Sequence, residues 1–212
     1  EQLVALFGEQ GFDYIGDSRA DLAVWPRAAQ RFTVSSLLPA GGQRLPGTPA
    51  AGGVGRWLKL LRVRHWVKNV LVFLAPLAAH QWAVAASWHA TLLTFAAFCA
   101  VCSSIYVVND LFDLASDRAH PSKRRRPLAA GDLQLAPAAL ASGALLAGGL
   151  VLAWLAGWAA VAVIGAYVLV NAGYTSWLKR LPVYDVFCLA GLYTLRIVAG
   201  AVAVGVPLSA WL

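Results

Sequence analysis

Five long apolar stretches, at residues 69–86, 90–112, 134–154, 157–178 and 183–206, follow a first quarter of the chain in which apolar and polar positions are mixed. An α-helix rises about 1.5 Å per residue, so roughly 20 residues cross about 30 Å of hydrocarbon, and each stretch predicts a membrane-spanning helix. Trp66, Trp82, Trp88, Trp154, Trp158, Trp177 and Trp211 lie at or near the ends of these stretches, where an aromatic belt belongs. Before them, Phe12-Asp13-Tyr14-Ile15 reads as a short strand and Gly16–Asp21 as the loop leaving it. Residues 39–55 are rich in glycine and proline and predict a linker. The expected fold is an all-α integral membrane bundle over 56–212, preceded by a short α/β unit over 1–38.

Composition agrees: of 212 residues, 59% are hydrophobic and 13% charged, with a mean hydropathy of +0.64. The net charge of +7 raises the question of a nucleic-acid partner, but the cations gather at the ends of apolar stretches, which sets that class aside. Arg56, Lys59, Arg62, Arg64 and Lys68 precede the first stretch, Arg118 and Lys123–Arg126 follow the second, and Lys179 and Arg180 follow the fourth. The positive-inside rule places all three groups in the cytoplasm, as expected of a multi-pass inner-membrane protein. Residues 56–69 have the basic, Trp-containing character of an interfacial helix, attracted to anionic lipid. Cys99, Cys102 and Cys188 lie in or beside apolar helices and are expected to pack as small hydrophobes. The chain holds no methionine and opens on no signal peptide, so an internal fragment is expected.

Asn109-Asp110-Leu-Phe-Asp113-Leu-Ala-Ser-Asp117 places charge where charge is expensive. A second helix running from Ala90 to Arg118, stopped before Pro121, would be about 43 Å long and would carry Asp113 and Asp117 out of the apolar layer. On that helix Asn109, Asp110, Asp113 and Asp117 share one face. An oxygen-only donor set favours Mg²⁺ over zinc. The block Lys123, Arg124, Arg125, Arg126 follows at once and suits phosphate oxygens, so the two together predict a diphosphate site. Tyr167, Asn171 and Tyr174 share a face of the fourth stretch and either join helices or line a cavity. Arg196, deep in the fifth stretch, is a candidate for substrate binding, the alternative being a structural pairing with Asp185 or with carbonyls. Gly143, Gly148, Gly165 and Gly200 are expected at close helix approaches. Asp17 and Asp21 form a possible second Mg²⁺ pair or an ordinary turn.

The Asn109–Asp117 pattern resembles the N-D-x-x-D-x-x-x-D signature of the UbiA superfamily of intramembrane prenyltransferases, and the likeness runs from about Arg56 to the C-terminus. Arg64-His-Trp-Val-Lys-Asn69 and His120-Pro-Ser-Lys-Arg-Arg-Arg-Pro127-Leu-Ala-Ala-Gly131 are most similar to its decaprenyl-phosphate phosphoribosyltransferase branch. The resemblance implies a Mg²⁺-dependent transferase acting on a polyprenyl lipid and a diphosphate substrate, with Asp110, Asp113 and Asp117 catalytic. It assigns Asn109 and these aspartates to metal and diphosphate, and Lys68, Lys123, Arg124 and Arg126 to phosphate; Arg125 stands outside that set. The family has about nine spans and a second aspartate-rich motif, which this chain does not reach, so the chain alone is expected to be inactive. Prenyl transfer to an aromatic acceptor is the alternative within the family, and part of a cation transporter the alternative outside it. Residues 12–21 resemble the last motif of haloacid-dehalogenase-type phosphatases, whose paired acids would be Asp17 and Asp21.

Overall fold

The computed structural model describes residues 2–16, 19–33, 43–44, 53–176 and 182–207, and the chain divides into two units, Glu1–Gly53 and Val54–Leu212. In the first unit, helix α1 (Gln2–Phe7) precedes three short strands, β1 (Tyr14–Gly16), β2 (Arg31–Thr33) and β3 (Gln43–Arg44). They form a parallel sheet in the order β1-β2-β3, with Tyr14 opposite Arg31 and Phe32 opposite Gln43. Parallel neighbours need a crossover, and two 3₁₀ turns, Arg19–Ala23 and Trp25–Arg27, supply it around the buried Trp25. The Tyr14 hydroxyl donates to Asp21 Oδ1 at 3.0 Å. Asp17, the other acid of the expected metal pair, lies outside the described residues.

The second unit contains α2 (Val54–Leu60), a 3₁₀ segment (Val63–Phe73), α3 (Leu74–Ala78), α4 (Ala85–Phe112), α5 (Leu114–Ala119), α6 (Leu135–Ala156), α7 (Trp158–Ser176) and α8 (Pro182–Ala203). Among the described residues, four helices rather than the expected five are long and apolar enough to span a membrane: α4, α6, α7 and α8. The stretch 69–86 is not one α-helix.

The chain from Arg62 to Gln81 nevertheless runs beside α4 from end to end. Arg62 meets Asp110, Trp66 Nε1 donates to Ser103 Oγ at 3.0 Å, Asn69 Nδ2 to Cys99 Sγ at 3.3 Å, Phe73 meets Phe95 in a tilted ring pair, and Ser87 Oγ donates to Gln81 Oε1 at 2.6 Å. The partner numbers fall as the segment numbers rise, so the two are antiparallel. A 3₁₀ helix rises about 2.0 Å per residue and therefore covers the same depth with fewer residues than α4. Its threefold period stacks Trp66, Asn69 and Val72 on one stripe facing α4 and α8, and Asn69 and Val72 are fully buried there. Pro76, which offers no N–H, and a turn at His80 (φ +55°) keep the segment from settling into a long α-helix.

The core lies between α4, α6, α7, α8 and this segment, built on Val72, Phe98, Val101, Ile164, Tyr167 and Leu192. Leu140, Leu169 and Phe187 face outward at 75%, 75% and 72% exposure, as lipid-facing residues do. Trp88, Trp154 and Trp158 mark the end of the bundle opposite the acidic motif. Helices α4 and α6 pack closely through small groups: Ser104 Oγ donates to the Ser142 carbonyl at 2.9 Å, and a Cβ at Gly149 would lie 2.7 Å from Val101 Cγ2.

Of the four glycines expected at close approaches, only Gly200 is at one, because a Cβ there would run into the Val72 carbonyl. Gly143, Gly148 and Gly165 have nothing within 4 Å of such an atom, and Gly149 takes the role they were assigned. Gly200→Ala should therefore destabilise the bundle by about 1–3 kcal/mol, the usual scale of overpacking. The check is thermal unfolding in detergent, where Gly200→Ala melts below the parent and Gly148→Ala melts with it.

Candidate functional site

At the end of the bundle away from those tryptophans, α4 stops at Phe112. Asp113 leaves helical geometry (φ −85°, ψ 6°), and α5 begins at Leu114. The single helix expected to reach Arg118 is thus broken at the middle aspartate. Beyond α5, His120 Nδ1 accepts from the backbone N–H of Ser122 at 3.2 Å and starts the turn Lys123–Arg125. Pro127 and Gly131 (φ +75°) complete the return toward α6.

Across this break Asp110 and Asp117 still meet at one guanidinium nitrogen, Arg126 Nη1. Asp110 is 3% and Asp117 1% exposed. Arg62 Nη2 donates to Asp110 Oδ1 at 2.7 Å, while Arg126 Nη1 donates to both Asp110 Oδ1 (3.1 Å) and Asp117 Oδ2 (2.6 Å). Arg62, in a left-handed backbone conformation (φ +51°), also lies 4.6 Å above the Tyr106 ring. Among the described residues no three acids, histidines or cysteines converge as a metal group. Two guanidinium groups take up Asp110 and one oxygen of Asp117.

Three residues still offer oxygen donors. Asp117 Oδ1 is buried without a hydrogen-bond partner, an arrangement that costs about 1–3 kcal/mol or more for a charged group unless something binds it. Asp113 is half-buried, and the Asn109 side chain lines a neighbouring cavity. Hard oxygen donors few in number fit Mg²⁺, which is commonly held by one or two carboxylates and completed by substrate phosphate and water.

A cavity of about 410 Å³ opens beside Asp110, lined also by Lys59, Arg62, His65, Ser122, Lys123, Arg125, Arg126 and Pro127. Five permanent cations thus face one carboxylate. Desolvation, then the charges of Lys68, Arg62 and Arg64, hold the His65 imidazole below its usual range, so it adds no charge at neutral pH. Arg125, outside the expected phosphate set, lines this cavity. Arg124, inside that set, is exposed and is not part of the lining. Lys68 stands apart, 5.8 Å from the centre of the Tyr193 ring.

On the other side of α4, Asn109 and Asn171 line a largely apolar cavity of about 310 Å³ with Ser104, Phe112, Leu146 and Thr175 among its walls. The polar stripe on α7 divides its labour. Asn171 lines that cavity, Tyr174 Oη donates to Asp185 Oδ1 at 2.7 Å, and Tyr167 is buried against α4 and α8. Arg196, 5% exposed, donates from Nε to Asn69 Oδ1 (2.9 Å), from Nη1 to the Leu192 carbonyl (2.5 Å) and from Nη2 to Tyr167 Oη (2.9 Å). It ties α8 to α7 and to the 3₁₀ segment. Asp185, offered as its partner, pairs with Tyr174.

The sequence reading did not single out Arg62, Tyr106 or His65 as site residues. Arg62 and Asp110 stand 48 positions apart, and only the antiparallel course of the 3₁₀ segment along α4 brings them together.

Residues 70–212 match the model of the UbiA prenyltransferase family. The chain is 38% identical over 214 residues to an uncharacterized protein of Sinorhizobium fredii, covering 96% of this chain and 41% of that one. It is 41% identical over 173 residues to a decaprenyl-phosphate phosphoribosyltransferase of Corynebacterium glutamicum, covering 80% of this chain and 51% of that one. The fold is similar to that of a UbiA homolog from Archaeoglobus fulgidus, solved bound to GPP and Mg²⁺, with a TM-score of 0.57 and 25% identity over 73% of this chain and 56% of that one. The chain spans about half the length of the curated relatives it matches.

Proposed function

Because the chain belongs to the UbiA prenyltransferase family, we propose that the whole protein is a Mg²⁺-dependent membrane transferase that moves the phosphoribosyl group of phosphoribosyl pyrophosphate onto a polyprenyl phosphate. The observation that carries this reading is the cavity beside Asp110 with its five cations. A lone diphosphate needs less positive charge than a donor carrying a diphosphate at one end and a phosphate at the other. The Corynebacterium relative, whose name states this activity, supports the choice, and the Mg²⁺ of the Archaeoglobus structure supports the cofactor.

Lys123, Arg125 and Arg126 would bind the phosphate oxygens of the donor, with the arginines able to bind them bidentately. Arg126 already bridges Asp110 and Asp117, so it can turn between its carboxylates and an incoming phosphate. Asn109, Asp113 and Asp117 Oδ1 would hold Mg²⁺. When bound, the metal supplies charge that stabilises the departing diphosphate. The cationic end of the bundle then faces the cytoplasm of an inner membrane, in line with the positive-inside rule.

Membranes carrying the whole protein, given phosphoribosyl pyrophosphate labelled in the ribose, should transfer label into the lipid-extractable fraction when polyprenyl phosphate is present. Prenyl transfer to an aromatic acceptor with no ribose label in lipid would instead establish the quinone-type reaction.

A further inference from the structure

A second cationic cavity adjoins the first. Also about 410 Å³, it is lined by Leu58, Lys59, Arg62, Arg64 and His65, so the two share Lys59, Arg62 and His65 as a common wall. No carboxylate lines the second cavity. Among the described residues, neither Lys59 nor Arg64 has an ion-pair partner. Lys59 and Arg64 repel one another and Arg62, whose charge is shared with Asp110, and an anion inside the hollow relieves that repulsion. Burial first, and then the charges of Lys68, Arg62 and Arg64, lower the titration range of His65.

The surroundings of this cavity say what kind of anion fits. Leu58 on its wall is 49% exposed, and Val67, Val70, Leu74 and Leu77 continue along the same stretch at 70%, 51%, 48% and 42% exposure. Their spacing of three, four and three residues keeps them in a line on one side of the segment. Because that segment runs antiparallel to α4 from its acidic end, the line leads from the cationic cavity down toward the opposite end of the bundle. A phosphate head with a long apolar tail matches both parts.

We propose that this second cavity holds the phosphate monoester head of the polyprenyl acceptor, with its chain laid along Val67, Val70 and Leu74, while the first cavity holds the phosphoribosyl donor. The inference rests on the transferase reading above and assigns the two substrates to two sides of one wall. An acceptor phosphate oxygen forms the new bond to the anomeric carbon of ribose. The bond from that carbon to the diphosphate oxygen breaks, and the diphosphate leaves with the electron pair. Arg62, common to both cavities, keeps the two anions side by side, and Arg64 is the residue that serves the acceptor alone.

The test uses the whole protein in phosphatidylcholine nanodiscs with farnesyl phosphate as a short acceptor. Arg64→Ala should raise the KM for farnesyl phosphate about tenfold or more, the value of one charge-assisted hydrogen bond, and leave the donor KM unchanged. Arg64→Lys should recover most of the loss, and Arg125→Ala should raise the donor KM instead. Calorimetric binding of farnesyl phosphate without donor should show the same loss in Arg64→Ala. That binding measurement separates the two claims: absence of any phosphoribosyl transfer by the parent overturns the transferase reading, while loss of farnesyl phosphate binding in Arg64→Ala still supports the acceptor site. Unchanged farnesyl phosphate binding in Arg64→Ala would overturn the site. So would a raised donor KM, or competition by inorganic phosphate or phosphatidylglycerol equal to that of farnesyl phosphate.

Discussion

Asp113→Asn in the whole protein should abolish phosphoribosyl transfer, by about 10²–10³-fold or more, while leaving the melting temperature where it was. Asp113 sits at the break between α4 and α5 and is half-buried. Its backbone N–H donates to the Asn109 carbonyl at 2.9 Å, and asparagine can make the same bond. What the substitution removes is the negative charge of a carboxylate in the same motif as the orphaned Asp117 Oδ1. Raising Mg²⁺ should recover part of the lost rate if the defect is one of metal affinity. Full activity in Asp113→Asn would exclude Asp113 from the metal site.

Asp110→Ala should do the opposite and act first on the fold. Asp110 is 3% exposed and ion-pairs with both Arg62 and Arg126. Its removal leaves Arg62 without its carboxylate and Arg126 with Asp117 alone. Breaking a buried pair by deleting one partner costs about 3–5 kcal/mol, and the lower end applies because the two arginine side chains are 25% and 29% exposed. A clear fall in melting temperature, with Asp110→Asn falling less, is the expected result in detergent unfolding. Parent-like melting of Asp110→Ala would mean that the network adds nothing to stability.

The contrast between these neighbouring aspartates shows how far the sequence could be read. Helices α4, α6, α7 and α8 were legible because each carries an unbroken apolar run of spanning length, which hydropathy reports without knowledge of neighbours. The family motif was legible too, since it is a local string. The 3₁₀ segment was not, because its basic first half reads as an interfacial helix and its apolar second half as the start of a spanning run over 69–86. What sets it apart is the threefold spacing of Trp66, Asn69 and Val72, each fixed by a tertiary partner on α4 or α8. The shared face of Asn109, Asp110, Asp113 and Asp117 followed from a continuous helix; the chain leaves helical geometry at Asp113, and Asp110 and Asp117 still meet at Arg126. Arg196 is the reverse case. Its depth marked it as unusual, but Asn69 and Tyr167, which satisfy it, lie 127 and 29 positions away. The strand at Tyr14–Gly16 was placed within a residue or two, while Asp17 falls outside the described residues.

The most direct measurement follows both halves of a doubly labelled donor in membranes carrying the whole protein with polyprenyl phosphate. With label in the ribose and a different label in the terminal phosphate of the diphosphate, the ribose label should enter the lipid phase and the phosphate label should stay in water as pyrophosphate, in the presence of Mg²⁺ and not after its chelation. Both labels in the lipid phase, or neither label moving while a prenyl group is transferred, would contradict the assignment of the cationic cavity to a phosphoribosyl donor.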